Sequence, residues 1–250
     1  MEVAVLLSAG LDSAVLAAHE AIAARVHPIY VSSGLAWERE ELAALDRLLA
    51  TNPFKSLAPL APLTFTVRDL YPPTHWALRG EPPAFDTPDE DVYLTGRNII
   101  LLTKASIYCA QHNIDRIALG PLAGNPFPDA TPDFFASMAR ALSLGLAHDL
   151  HIDAPFVHKE KSDVIKLGVE LGVPLELTLS CMDPRLRHVE SRRDASSQRW
   201  PGGPPPAGRS GRQAADIEHC GVCSKCRERR DAFNEAGVQD KTRYAVQPAR

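Results

Sequence analysis

A short run of small and hydroxyl-bearing residues near the N-terminus could hold a phosphate group. Ser8, Gly10 and Ser13 stand between an apolar run and an alanine-rich segment. Hydroxyl groups and the free amides of a helix start donate to phosphate oxygens, and glycine lets the backbone approach them closely. Asp12 would repel a bare phosphate, so it fits better beside a metal ion or as a helix cap. An ordinary capped turn, with Ser8 or Asp12 as the N-cap, explains the same run equally well.

Three cysteines spaced by two residues predict a metal site near the C-terminus. Cys220, Cys223 and Cys226 form this pattern, and Cys181 is a candidate fourth ligand. Four cysteine thiolates favour zinc in a structural site, because they leave no coordination position open for water. An iron–sulfur cluster uses the same spacing, and His219 is a rival for the fourth position. Zinc with four cysteines is the interpretation that we favour.

The elements that must position these motifs alternate between strands and helices. Such alternation predicts a parallel sheet with helices on both faces, a doubly wound α/β fold. Ligands bind this fold beyond the carboxyl ends of the strands, and the serine and glycine run follows the first predicted strand. The proline-rich stretch 71–91 is predicted to be a loop. The predicted strands are 3–7, 26–31, 63–67 and 116–119, and the predicted helices are 13–24, 38–50, 97–112, 132–147 and 160–171.

Composition and charge exclude several classes of protein. The chain has 250 residues, of which 45% are hydrophobic, and a formal net charge of −4. This charge gives no broad attraction to nucleic acid, so nucleic-acid binding is not expected. No apolar run reaches the roughly 18 residues of a membrane span, and the N-terminus lacks the basic lead-in of a signal peptide. We therefore expect a cytoplasmic protein without a membrane partner.

The chain is predicted to have two parts. Residues 1–180 would form an α/β domain that carries the candidate phosphate-binding run, and residues 181–250 a C-terminal zinc-binding region. Between Cys181 and Cys220 the sequence is rich in proline, glycine and arginine and poor in large apolar residues. Such a segment buries too little surface to offset its ordering entropy. We therefore predict a flexible insertion at about 183–217.

The arrangement of strand, Ser-x-Gly-x-Asp-Ser and helix resembles the PP-loop of the N-type ATP pyrophosphatase superfamily. Its members split ATP between the α and β phosphates and usually adenylate their substrate. The superfamily usually has Ser-Gly-Gly-x-Asp-Ser, and Ala9 stands where it has a further glycine. The methyl group of Ala9 should be tolerated if its φ is negative. The nucleotide-binding residues that the resemblance implies are Ser8, Ala9, Gly10, Leu11, Asp12 and Ser13.

Further segments resemble, in order, the 7-cyano-7-deazaguanine synthase family, and together they span nearly the whole chain. Residues 95–98 (Thr-Gly-Arg-Asn) resemble its Pro-Gly-Arg-Asn, and residues 127–129 (Phe-Pro-Asp) resemble its Tyr-Pro-Asp. Residues 160–163 (Glu-Lys-Ser-Asp) fall where the family has the Thr-Lys-Ala-Glu start of a helix. Residues 178–181 and 219–226 resemble its Trp-Ser-Cys and its Pro-Cys-Gly-x-Cys-x-x-Cys.

The resemblance implies an ATP-dependent ligase of queuosine precursor biosynthesis. Its reaction would convert 7-carboxy-7-deazaguanine and ammonia to 7-cyano-7-deazaguanine, through an adenylated carboxylate and an amide. The implied catalytic residues are Asp12, Ser13, Arg97 and Lys161, and Asp129 would accept hydrogen bonds from the base. ATP would bind with Mg²⁺. Structural Zn²⁺ would be held by Cys181, Cys220, Cys223 and Cys226.

Alternatives remain open because the chain departs from the family pattern. Residues 32–37 (Ser-Ser-Gly-Leu-Ala-Trp) replace the family's Asp-Tyr-Gly-Gln segment, and the segment after Cys181 is much longer. A related PP-loop ligase could join the activated acid to a different amine. Sulfur transfer to tRNA is disfavoured by the acidic balance, and a non-catalytic zinc-ribbon module is an alternative from another class of protein. We expect small-molecule substrates, and a homodimer is compatible with the sequence.

Overall fold

A parallel sheet forms the centre of the protein. The computed structural model describes residues 1–187 and 216–247. Within these residues, the strands of the central sheet are β1 (Glu2–Leu6), β2 (Arg25–Ser32), β3 (Ala61–Thr64), β4 (Arg116–Ala118) and β5 (His151–Asp153). They follow the order β3-β2-β1-β4-β5, and every neighbouring pair is parallel. The predicted α/β fold is confirmed.

The strand order creates a crevice beside β1. The chain runs outward from β1 to β2 and β3, and then returns to place β4 on the other side of β1. Connections that diverge in this way open a ligand-binding crevice at the carboxyl ends of the strands. Val3, Ala4 and Val5 of β1 are 0% exposed, as expected for a central strand covered on both faces.

Helices cover both faces of the sheet. Along a strand, successive side chains point to opposite faces, and β1 shows this separation. Val3 and Val5 belong to an apolar cluster with α1, α2, α6 and α7, whereas Ala4 belongs to another with α4 and α5. The sheet is therefore doubly wound. The helices are α1 (Leu11–Glu20), α2 (Glu38–Leu49), α3 (Trp76–Arg79), α4 (Arg97–His112), α5 (Pro132–Leu146), α6 (Lys161–Glu170) and α7 (Ser224–Ala236).

The predicted helices agree with the structure best where the apolar pattern is long. α4 spans the predicted residues, whereas α1 begins and ends earlier than predicted. α1 ends early because the amides of Ile22 and Ala23 bond to carbonyls three residues back, which makes a turn before β2. The predicted proline-rich loop contains one helical turn, α3. β5 is too short to show a pattern and α7 is largely charged, so neither was predicted.

The C-terminal region is described in two pieces. β6 (Arg185–Arg187) and β7 (Asp216–Glu218) pair as antiparallel strands at the two ends of the segment predicted to be flexible. The rest of that segment, residues 188–215, lies outside the described residues. The division of the chain at residue 180 stays a prediction. Among the helices of the described ranges, none is long and apolar enough to cross a membrane.

Candidate functional site

The serine and glycine run connects β1 to α1 and lines a cavity in the crevice. Gly10 is the N-cap of α1, with φ −60° and ψ 149°, and no side chain caps this helix in the described part of the chain. The alternative of a turn capped by Ser8 or Asp12 is therefore wrong. Helix amides without a side-chain cap are available donors for an anion, and the helix dipole adds attraction.

Ala9 has a left-handed backbone conformation. Its φ is 62°, so the condition under which its methyl group was expected to be tolerated is not met. A left-handed residue that carries a Cβ costs about 1–2 kcal/mol, which explains a preference for glycine at this position. The carbonyl of Ala9 accepts a 2.8 Å hydrogen bond from the amide of Leu179. This contact ties the loop to the segment that leads to Cys181.

The hydroxyl group of Ser13 lies inside the loop. It donates to the carbonyl of Gly10 at 3.0 Å and accepts from the amide of Ser8 at 3.4 Å. Gly120, which follows β4, packs closely on the same turn, because a Cβ there would lie 3.5 Å from the carbonyl carbon of Asp12. The loop is compact, and Ser8, Gly10, Asp12 and Ser13 all line the cavity. Their role as phosphate ligands stays a prediction.

Lys161 and Asp12 meet in this cavity. Lys161 is the first residue of α6, and its Nζ lies 3.1 Å from Oδ2 of Asp12 and 2.6 Å from Oε1 of Glu228. Burial lowers the pKa of Lys161, but Asp12 and Glu228 raise it more, so the lysine stays charged at neutral pH. Oδ1 of Asp12 is buried and has no hydrogen-bond partner in the described part of the chain. That oxygen can accept a further ligand.

Two residues of α7, Lys225 and Glu228, extend the charged cluster. Oε2 of Glu228 accepts from Nζ of Lys225 at 2.7 Å, and the same Nζ lies 2.9 Å from Oδ1 of Asp89. Burial raises the pKa of Glu228, but the ammonium groups of Lys161 and Lys225 lower it to about 2. Neither residue is among the predicted site residues, although their spacing of three indicates a shared helix face. We call Asp12, Lys161, Lys225 and Glu228 the charged end of the cavity.

A second part of the cavity lining, the aromatic wall, consists of Tyr30, Trp37, Glu41 and Trp76. The hydroxyl of Tyr30 donates to Oε2 of Glu41 at 3.0 Å, and the rings of Trp37 and Trp76 stack with centroids 5.7 Å apart. Burial raises the pKa of Glu41 to about 7, although the charge of Arg97 opposes this effect. Glu41 is not among the predicted site residues, because one glutamate in a helix that starts with several acidic residues is expected on the surface.

Arg97 and Asp129 also line the cavity. The carboxylate of Asp129 accepts from the backbone amide of Asn98 at 3.1 Å, near the start of α4. Burial raises the pKa of Asp129, whereas the bond from Asn98 and the charge of Arg97 lower it. Nε of Arg97 is buried and has no hydrogen-bond partner in residues 1–187 and 216–247. The charge of Arg97 also lowers the pKa of Glu41, so it reaches the aromatic wall.

The structure brings the predicted metal ligands together in a buried cluster. The Sγ atoms of Cys181, Cys220, Cys223 and Cys226 lie within 4.8 Å of one another, and each residue is at most 3% exposed. The amide of Cys220 donates to Sγ of Cys181 at 3.1 Å, a contact that favours a charged sulfur. Buried sulfur atoms at this separation could hold a metal ion in a tetrahedral site.

His219 and Arg229 tie the segment before Cys181 to the C-terminal region. Nε2 of His219 accepts from the amide of Ser180 at 3.1 Å, so this nitrogen is engaged outside the cysteine cluster. The buried guanidinium of Arg229 donates to the hydroxyls of Thr178 and Ser180, at 2.9 and 3.0 Å. These contacts hold Cys181 against the other cysteines, which favours Cys181 over His219 as the fourth ligand.

One cavity of about 570 Å³ includes both the charged end and the aromatic wall. This volume is in the usual range for small-molecule sites. The charged end offers ammonium groups and helix amides, which suit a polyphosphate. The aromatic wall offers flat ring surfaces and a buried carboxyl group, which suit a planar ring that carries N–H donors.

Known proteins resemble this chain along most of its length. A family model described as "Queuosine biosynthesis protein QueC" matches residues 2–237. A 7-cyano-7-deazaguanine synthase of Methanosphaerula palustris is 26% identical over 98% of this chain and 99% of that protein. The protein of the same name from Methanopyrus kandleri is 30% identical over 96% of this chain and 97% of that protein. The one from Thermoplasma volcanium is 31% identical, but the match covers only 62% of this chain and 54% of that protein.

Proposed function

Because this chain belongs to the family of QueC queuosine biosynthesis proteins, we propose that it makes 7-cyano-7-deazaguanine from 7-carboxy-7-deazaguanine, ammonia and ATP. A carboxylate is a poor electrophile, and its adenylation releases pyrophosphate and makes AMP the leaving group. Ammonia then displaces AMP to form the amide. A second adenylation, on the amide oxygen, allows the nitrile to form as AMP and a proton leave. We expect this chemistry to take place in the cytoplasm.

The observation that carries this proposal is the phosphate loop with Lys161 beside it. The amides at the start of α1 lack a side-chain cap in the described chain, and the loop lines the same cavity as Lys161. Lys161 is protonated beside Asp12, so it can stabilise the negative charge that develops on the departing pyrophosphate. Ser8 and Ser13 would bind phosphate oxygens, and Asp12 would lie near Mg²⁺ through its unpartnered Oδ1.

The acid substrate would bind across the rest of the cavity. A deazaguanine ring is flat and carries adjacent N–H donors, which aromatic faces and a carboxylate can recognise. Asp129 is the predicted acceptor, although the amide of Asn98 already donates to it. Glu41 is a second buried carboxyl group in the cavity. Arg97, whose Nε lacks a partner among the described residues, would face a phosphate or the carboxylate of the acid.

We propose that the cysteine cluster holds structural Zn²⁺. Four sulfur donors leave no position for water, so the metal would stabilise the fold without entering the reaction. Cys223→Ser removes one ligand, and we expect a large loss of soluble yield with little change in the specific activity of the protein that remains. Metal analysis of the wild type should give about one zinc per chain. Iron, or no metal, would contradict this assignment.

Mass spectrometry of the reaction product tests the proposed function. The purified, metal-loaded protein is incubated with ATP, Mg²⁺, ammonium and 7-carboxy-7-deazaguanine, and we expect AMP, pyrophosphate and the nitrile. Omission of the deazapurine acid is the control, and it should suppress AMP formation.

The mass of the product also separates the alternatives. A conjugate with another amine, when candidate amines are supplied, would favour a related PP-loop ligase. A protein that binds no ATP in its metal-loaded form would contradict both kinds of ligase and favour a non-catalytic module.

A further inference from the structure

We propose that Lys225 is a second phosphate-binding cation, supplied to the nucleotide site by the helix that follows the cysteines. The inference rests on the proposed function, since it concerns the ATP at the same site. Lys225 lines the cavity together with Ser8, Gly10 and Ser13 of the phosphate loop. It also lies between Cys223 and Cys226 in the sequence. The segment that could hold the metal would therefore fix the backbone on both sides of this lysine.

The contacts of Glu228 connect Lys225 to the predicted catalytic lysine. Its Oε2 accepts from Nζ of Lys225 at 2.7 Å, and its Oε1 accepts from Nζ of Lys161 at 2.6 Å. A single carboxylate thus spans the two ammonium groups and keeps them close to each other. Phosphate groups of ATP carry several oxygens, so a pair of neighbouring cations can bind two of them at once. Glu228 is a positioning residue in this arrangement.

The charges around Lys161 show why one lysine is insufficient. Lys161 contacts two carboxylates, those of Asp12 and Glu228. With Lys161 alone, this group would carry a net negative charge and would repel a triphosphate. Lys225 offsets part of this excess, because its ammonium group contacts the second oxygen of Glu228, while the half-exposed carboxylate of Asp89 lies beside the same ammonium group. Mg²⁺ bound with ATP would supply further positive charge.

A purely structural role for Lys225 predicts a different pattern. Nζ of Lys225 also lies 2.9 Å from Oδ1 of Asp89, whose side chain is 49% exposed. This contact could simply tie α7 to the segment before α4. If so, the loss of Lys225 and the loss of Asp89 would weaken ATP binding to the same extent. If Lys225 binds phosphate, only loss of the lysine charge should weaken ATP binding.

Equilibrium dialysis with a non-hydrolysable ATP analogue and Mg²⁺ tests the inference, with the metal content of each variant measured in parallel. We expect Lys225→Met to weaken binding about tenfold or more, since a charge-assisted contact is lost. Lys225→Gln keeps a hydrogen-bond donor for Glu228 but lacks the charge, and it should show the same loss of affinity. It therefore distinguishes the loss of charge from a folding defect. Lys225→Arg should restore most of the affinity. Asp89→Asn and the exposed Lys166→Met should bind within about twofold of the wild type.

The outcomes separate the inference from the proposed function. Equal weakening by Lys225→Met and Asp89→Asn, at unchanged metal content, would overturn the inference in favour of a structural tie. Unchanged affinity in both Lys225→Met and Lys225→Gln would also overturn it, while the proposed function would stand on normal binding by the wild type. A wild-type protein that binds no analogue would contradict the proposed function itself.

Discussion

Glu228 at the charged end and Glu41 at the aromatic wall are the same type of residue in one cavity, yet their carboxyl groups behave in opposite ways. Burial raises the pKa of both groups. Glu228 contacts the ammonium groups of Lys161 and Lys225, and its pKa falls to about 2. Glu41 accepts from the neutral hydroxyl of Tyr30, and its pKa rises to about 7. Burial therefore sets the pKa of Glu41, whereas at Glu228 two contacting ammonium groups outweigh burial.

This difference divides the cavity into two chemical environments. At the charged end every ionised group is paired with an opposite charge, which suits the binding and release of phosphate groups. At the aromatic wall, a carboxyl group with a pKa of about 7 shares the cavity lining with two stacked indole rings. This lining suits an uncharged planar ring. The proposed reaction needs both, because it joins a nucleotide to a deazapurine acid. Four changes, in order of decreasing expected effect, test this division.

Asp12→Ala or Ser13→Ala should remove most of the activity, because each changes the phosphate loop. We expect turnover to fall roughly 100-fold or more, as when a preorganised group that faces developing charge is removed. The zinc content should not change, because neither residue contacts a cysteine of the cluster. Turnover measured as AMP release, with metal analysis, checks the prediction. Full activity in either variant would remove the phosphate assignment from the charged end.

Glu228→Gln should destabilise the protein. A depressed pKa contributes stability that is complete above the unfolded value of 4.5 and is lost as the pH falls towards 2. Between pH 6 and 8 the loss should therefore be constant, at about 2–3 kcal/mol. Chemical denaturation of the metal-loaded protein at several pH values measures it. Asp163→Asn is the matched control, because its ion pair with Lys166 is exposed, and it should cost less than about 0.5 kcal/mol.

Glu41→Gln should stabilise the protein at alkaline pH, the opposite of the effect expected for Glu228→Gln. A carboxyl group whose pKa rises from 4.5 to about 7 makes the protein less stable as the pH increases through this window. The variant lacks this penalty, so it should exceed the wild type in stability by about 3 kcal/mol at pH 8 and match it below the unfolded pKa of 4.5. The same denaturation series checks the sign, and Glu176→Gln on the surface should show no such trend. A destabilised variant at pH 8 would mean that Glu41 is stabilised as an anion.

Tyr30→Phe should produce the smallest effect. It removes the hydroxyl that donates to Glu41, at a cost of about 1 kcal/mol. Because that bond favours the charged carboxylate, its loss should raise the pKa of Glu41 further. The cost should change when Glu41 is already glutamine, and a double-mutant cycle measures the coupling. Strictly additive effects would show that the two side chains act independently.

Local sequence patterns were enough to predict the fold class, the serine and glycine run between β1 and α1, and the cysteine cluster. These features are local, because each is specified within a short stretch of chain. One is a strand, turn and helix in succession, and the other is a set of cysteines with two residues between neighbours. The apolar run of α4 shows the same point, since its predicted bounds agree with the structure. Ala9 marks the limit of this reasoning. Its φ of 62° is left-handed, and its carbonyl bonds to Leu179, which is far away in the sequence.

The assembly of the site depends on contacts between segments that are far apart in the chain. Lys161 and Asp12 are 149 residues apart in the sequence, and Lys161 and Glu228 are 67 apart. The roles of Glu228 and Glu41 depend on which charges and rings surround them, and no local pattern specifies those neighbours. A carboxylate is ordinary on a helix surface, and only non-local packing makes it the shared partner of two lysines or a weak acid. The folded chain fixes those neighbours, because the sheet and α7 bring distant segments to the same cavity.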